Sequence, residues 1–179
     1  TLTSLCGYWN VPADHVELAE KICYDGTPSH SERHWALQQG LVVREFTLDW
    51  GSAAALLDRG VPFAVETRYL TSAHIQPIIG YDARRRTLLT RDPGQRLASE
   101  MMAAPLLEQM AAFGPRAMAI VPSDATEKIA GLTLPDAELY DDLYEMQRAL
   151  FKHDRAHAAL VVERIAGNAP EHRLALHAR

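Results

Sequence analysis

Apolar positions recur with helical spacing from the first residues. Leu2, Leu5, Cys6 and Trp9 fall at i, i+3, i+4 and i+7, one face of a helix. No start signal precedes that face, so the chain is expected to enter mid-helix, with residues missing upstream. Pro12 follows a turn at Asn10 and is read as opening a second helix over about 13–23, with Val16, Ala19 and Ile22 inward. After the loop Gly26-Thr27-Pro28, Ser29 and Glu32 have capping-box spacing, and the helix they start runs to Gly40, a good residue to end on.

The period then changes. Leu41 to Leu48 is rich in branched and aromatic residues and predicts a strand; Ser52 to Arg59 predicts a short helix ending at Gly60; Val61 to Thr67 predicts a strand. His74 to Tyr81 is a further strand, and Thr87 to Arg91 its antiparallel partner across the turn 82–86. Leu97 to Phe113 reads as helical, with Pro105 marking a break or a new first turn. Gly114-Pro115 ends it, and Ala117 to Val121 is the last strand.

Beyond Pro122 the pattern loosens into a linker, 123–135. From Asp136 only helical periodicity remains. Leu139, Leu143, Met146 and Leu150 make one stripe; Ala158, Val161, Val162 and Ile165 make another, with the turn Lys152 to Arg155 between them. Two such helices joined by a short turn form an αα-hairpin.

Composition narrows the function classes. A chain of 179 residues, 47% hydrophobic, suffices for one well-buried domain with a small appendage. A net charge of −5 gives no basic face for nucleic acid, and Arg84-Arg85-Arg86 reads as a solvated turn. No apolar run reaches the length of a membrane span. No signal peptide is visible, but the missing start leaves targeting open. Two cysteines make no disulfide framework, so a reduced, cytoplasmic setting is the default. No cofactor or metal is called for.

The stretch 74–92 carries the chemistry. With its turn centred near residues 83–84, the hairpin places the partner of residue 74 at about 92–93, so His74 and Asp92 are expected to face each other. A carboxylate beside an imidazole selects its tautomer and stabilises the imidazolium, the base-and-orienter half of a nucleophilic site. A plain structural hydrogen bond or an exposed pair is the alternative.

The run from His74 through Gly80-Tyr81-Asp82, followed by Thr87 to Asp92-Pro93, resembles the His and Asp motifs of the bacteriocin-processing (double-glycine) peptidase-like family, the thirty-ninth family of cysteine peptidases. Gly7 to Pro12 resembles the end of the family's first helix, and Gly26-Thr27, Trp35-Ala36 through Gly40-Leu41, Gly60 to Phe63, and Gly114 to Arg116 through Val121-Pro122 resemble landmarks that follow that helix, in the expected order. The likeness covers about residues 1–122. It implies an α+β fold of papain type, N-terminal helices packed on an antiparallel sheet, here with the C-terminal αα-hairpin at 136–179 added. It also implies a peptide or protein substrate, with catalytic His74 oriented by Asp92.

The departure is the nucleophile. The family carries it in a Cys-Gly/Ala-Pro-x-x-Leu motif at the start of the first helix, with an oxyanion Gln before it. Matching Leu2 and Trp9 to that helix puts both residues before Thr1, and the chain alone is expected to be inactive. Cys6 lies about two turns on, inside the apolar stripe, where a thiol is normally a small core residue with a raised pKa. Cys23 has no reason to meet His74.

Other features have plainer readings. His30 and His34 are four apart, but Glu32 between them does not fit a zinc-protease motif, so solvated histidines are expected; His153 and His157 read the same way. Trp35 and Trp50 are core or groove wall. Thr1 as an N-terminal nucleophile has no support. Glu66 and Arg68 either line the cleft or face water. The C-terminal hairpin resembles a tetratricopeptide-type repeat in Ala158 to Pro170 and Asp154, but its first helix lacks the Trp, Gly and Tyr of the pattern. One repeat cannot bury both faces, so further repeats after Arg179 or packing on the first domain are expected. Two functional classes follow: a bacterial cysteine peptidase acting on peptides, tethered to a protein partner by helical repeats, or a non-catalytic adaptor binding peptides or proteins on a degenerate peptidase fold. The residues before Thr1 distinguish them.

Overall fold

A computed structural model of the chain describes residues 1–23, 26–69, 72–92 and 94–179. They form two units, Thr1–Pro135 and Asp136–Arg179.

The first unit is α+β. Three helices, α1 (Leu2–Tyr8), α2 (His15–Ile22) and α3 (Ser29–Gln38), precede strand β1 (Leu41–Thr47) and helix α4 (Trp50–Asp58). Then come β2 (Phe63–Arg68), β3 (Ala73–Asp82), β4 (Thr87–Thr90), β5 (Ser99–Met102), α5 (Ala103–Met110) and β6 (Arg116–Pro122). The strands make one antiparallel sheet in the order β1-β6-β2-β3-β4-β5.

Strand alternation gives the sheet its two faces. Val43, Ala64, Met118 and Ile120 pack against Leu2, Leu5 and Cys6 of α1, Leu18 and Ile22 of α2, and Trp35 and Ala36 of α3. The neighbours of opposite parity, Phe46 and Phe63, meet edge to face at 6.1 Å and are wholly buried. Helix α4 starts on a reciprocal capping box between Asp49 and Ser52, which satisfies two end groups of the helix. Gly60 follows it at φ +69°, a left-handed geometry that L side chains rarely adopt.

Several local expectations yield to tertiary contacts. Asp14, not Pro12, caps α2, with Glu17 N–H on its carboxylate. Leu18 rather than Val16 faces the core. Ser29 and Glu32 form no capping box: Pro28 is the N-cap residue, and Glu32 turns inward to Arg116. Residues 99–102 are an edge strand instead of helix, because they complete β4 from Thr87–Met102 to Thr90–Ser99; Pro105 lies in the first turn of α5. The segment read as a linker belongs to the first unit. It begins with a 3-10 stretch, Ser123–Lys128, buries Ala125, and returns Pro135 C=O to Thr47 N–H.

The second unit is the helical hairpin α6 (Ala137–Phe151) and α7 (Arg155–Asn168), followed by a short α8 (Arg173–Ala178) that the sequence pattern did not suggest. Tyr140, Leu143, Met146 and Ala149 pack on Ala158, Val161 and Ile165, and Leu174 and Ala175 close the cluster. The inward stripe of α6 keeps Leu143 and Met146 as expected, with Leu139 partly buried beside it, but Tyr140 and Ala149 complete it and Leu150 is half exposed. Asp154 caps α7 by accepting from His157 N–H. His157 in turn meets Glu145 at 2.7 Å, tying α7 back to α6.

Candidate active site

His74 lies near the start of β3, and Asp92 two residues beyond the end of β4. The ladder between these strands contains a bulge: Asp82 pairs with Thr87 and Gly80 with Leu89, but Ile78 pairs with Thr90. Main-chain pairing therefore brings Asp92 in short of the direct partner of His74, and the two meet on a diagonal. The contact is nonetheless close, with His74 Nε2 2.5 Å from Asp92 Oδ2. The other carboxylate oxygen accepts the N–H of Gly94 at 2.8 Å. Pro93, the second half of the Asp-Pro motif, lies outside the described residues. The bond from His74, reinforced by that from Gly94, holds the Asp92 carboxyl below its ordinary pKa. Asp92 is thus the anion that fixes the Nε2–H tautomer, and Nδ1 remains as the acceptor. The Asp92 side chain is only 13% exposed while His74 is 47% exposed, so the imidazole stays open to a reactant.

The pair stands beside the opening of α1. Thr1 Oγ1 donates to Ile75 C=O at 2.6 Å, next to His74 in β3. Thr1 also lies near Glu32 and Asp92. A cavity of about 210 Å³ lies along α1 and β3, lined by Ser4, Tyr8, Gly60, Pro77, Ile79 and Arg91 among others.

Neither cysteine is presented as a nucleophile. Cys6 is 1% exposed on the core face of α1, and burial pushes its thiol pKa up. Cys23 is exposed at the end of α2, 3.1 Å from Thr27 Oγ1. Of these two thiols, Cys23 alone is expected to react with iodoacetamide in the native protein, and Cys6 only after denaturation; peptide mass mapping reads both. Labelling of Cys6 at the rate of Cys23 would contradict its burial.

The remaining candidates separate. Trp35 is core. Trp50 meets Tyr81 edge to face and carries Arg86 over its ring at 4.4 Å, so the basic turn is anchored rather than merely solvated. Arg85 bonds Asp82 and Glu100. His30 and His34 are half-buried on α3, and among the described residues no group of three or more His, Cys, Asp or Glu could hold a metal ion. Glu66 and Arg68 pair with each other at 2.6 Å.

Sequence reading missed a buried ionic cluster below the site. Arg116 Nε meets Glu45 Oε1 at 2.5 Å, and its Nη1 reaches Glu32 at 3.1 Å and Glu66 at 3.3 Å. Arg33 bonds the other oxygen of Glu45 at 3.1 Å. Burial opposes the charge on Arg116, but Glu45 and Glu32 outweigh it and hold the guanidinium pKa above its ordinary value. The available signal was a Glu inside the apolar run 41–48.

A family model matches residues 1–113, well over half of the chain, and its description is the Peptidase_C39 like family. The chain belongs to that family. The peptidase domain of Streptococcus ComA, described as a bi-functional ABC transporter involved in a quorum sensing pathway, has a similar structure. It matches with a TM-score of 0.53 at 16% identity, covering 68% of this chain and 88% of that one. At that identity the likeness speaks for the fold. A search of the curated proteins finds no match. This family member is therefore peptidase-like in both sequence and fold, and among its described residues no helix is long and apolar enough to cross a membrane.

Proposed function

We propose that this chain supplies the base-and-orienter half of a cysteine peptidase that cleaves peptide bonds. The observation that carries the reading is the 2.5 Å bond between His74 Nε2 and Asp92 Oδ2 beside the opening of α1, in a chain of a peptidase-like family. The nucleophile is a thiol on a residue preceding Thr1, where the family motif stands. With Asp92 on Nε2, His74 takes the thiol proton on Nδ1. The thiolate attacks the carbonyl carbon, and the N–H groups at the helix opening face the developing oxyanion. His74 then returns the proton to the leaving amine, and water releases the acyl group from sulfur by the same path in reverse. The cavity between α1 and β3 offers an apolar enclosure for a substrate side chain. A reducing compartment, the cytoplasm, suits an enzyme with an active thiol. The C-terminal helices serve as the attachment for a protein partner, in the manner of tetratricopeptide-like repeats.

The second reading is an adaptor that binds peptides without cleaving them. It is favoured by the placement of Cys6 in the core and Cys23 at the end of α2. Labelling of the full-length protein with a thiol-directed peptide probe at neutral pH separates the two. The peptidase reading expects labelling on a cysteine upstream of Thr1, slowed at least about tenfold in His74→Ala. No labelling, or labelling that His74→Ala leaves unchanged, would favour the adaptor.

A further inference from the structure

The His74–Asp92 contact poses a mechanical problem. The β3–β4 ladder ends at Ile78–Thr90, and Arg91 N–H on Pro77 C=O at 3.1 Å is the last main-chain bond before Asp92. Pro77 stands in β3 between the sheet neighbours β2 and β4 and has no N–H to give. Something else must hold β4 against β3 where the carboxylate is needed.

The buried residue Gln76 bridges that gap. It is 7% exposed and lies on the same strand face as His74, two residues on. Its Nε2 donates to Thr67 Oγ1 on β2 at 3.4 Å, and Thr67 in turn donates to His74 C=O at 3.1 Å. Its Oε1 accepts from Thr90 Oγ1 on β4 at 3.3 Å, a proton Thr90 shares with Pro77 C=O at 3.0 Å. The donors and acceptors are mutually consistent. Thr67 spends its one proton on His74, so it can only accept from Gln76, which leaves the amide oxygen facing Thr90. Thr67 and Thr90 are each 2% exposed, so the bridge is shielded from competing water.

We propose that Gln76 is a positioning residue: its carboxamide, tied to Thr67 on one side and Thr90 on the other, sets the spacing that lets Asp92 reach His74. One tie ends on the backbone of His74, and the other ends two residues before Asp92. The geometric claim stands alone, while its effect on turnover rests on the peptidase reading.

The test uses the full chain and a signal that does not need turnover. The His74 Nε2 proton, held by a carboxylate, gives a downfield imidazole N–H resonance in a histidine-labelled NMR spectrum, assigned by its loss in Asp92→Asn. Gln76→Met and Thr90→Val remove the bridge at nearly constant volume and are expected to shift that resonance most of the way to its Asp92→Asn behaviour, or to remove it. Thr90→Ser keeps the hydroxyl and is expected to keep the resonance. If the probe reaction occurs, its rate should fall roughly 10- to 100-fold in the first two variants and not in the third. An unchanged resonance in folded Gln76→Met and Thr90→Val would overturn the proposal. So would loss of the whole fold in both with Thr90→Ser stable, which would make the bridge a general structural tie. A shifted resonance with no thiol labelling in any variant would uphold the positioning claim and count against the peptidase reading alone.

Discussion

Arg116→Ala is expected to unfold the first unit or lower its melting temperature by more than about 10 °C. Arg116 is the shared partner of three carboxylates drawn from α3, β1 and β2. Glu32 and Glu45 have side chains only 6% and 5% exposed, so neither can turn to water once the guanidinium is gone. Breaking one buried pair typically costs about 3–5 kcal/mol, and a whole domain is stable by about 5–15 kcal/mol. Arg116→Lys keeps one charge but loses the fork that serves several oxygens, and should fall between the two. The pH dependence has a sign. Burial first, against the pull of Arg116, raises the Glu32 pKa above its ordinary value. The contribution of such a group is fully present below the ordinary carboxylate pKa and is lost as pH rises through the raised value. Arg116→Ala should therefore recover part of its stability on acidification from neutral pH toward the ordinary carboxylate range. Circular dichroism melts across that range check both statements; a melting temperature within about 2 °C of the parent at neutral pH would remove the cluster from the stability argument.

Asp92→Asn is expected to lower turnover by about 10³- to 10⁴-fold with little change in fold, on the analogy of a buried Asp that orients a catalytic His elsewhere. The Gly94 N–H already occupies one Asp92 oxygen, so the substituted side chain must keep its carbonyl there and turn its NH₂ toward His74. Facing a donor, Nε2 becomes the acceptor and the ring proton moves to Nδ1. The nitrogen needed to take the thiol proton is then filled. Asp92 itself sits below its ordinary pKa because of His74 and then Gly94. The pair's stabilisation is thus present above the ordinary carboxylate value and lost only as pH falls through the depressed one. Activity lost in mild acid should accordingly not trace to Asp92. Peptide hydrolysis or probe labelling by the full-length protein measures the effect, and Asp92→Asn retaining a tenth or more of the parent rate would sink the assignment.

These two sites differ in how legible they were in the sequence. His74 and Asp92 lie eighteen residues apart on one hairpin, where turn arithmetic alone brings them near. That arithmetic missed the bulge after Ile78, because a bulge is an extra residue taken up by cross-strand packing rather than by a local signal. Arg116 and Glu32 are 84 positions apart, and no spacing rule connects them. Glu32 even presented a local role, as a cap partner for Ser29, that burial beside Arg116 overrode.

Periodicity, turn residues and motif order determined most of the helices and strands of this chain, its peptidase-like family and the proximity of His74 to Asp92. These are local quantities: they depend on backbone preferences and on which face of a segment is apolar. Tertiary structure alone decided that Glu32, Glu45 and Glu66 converge on Arg116, that 99–102 pairs as an edge strand, and that 123–135 folds onto the sheet. It alone placed Gln76 between Thr67 and Thr90. Each of those outcomes turns on a buried polar or main-chain group finding its partner across the chain, a requirement that arises only once water has been excluded.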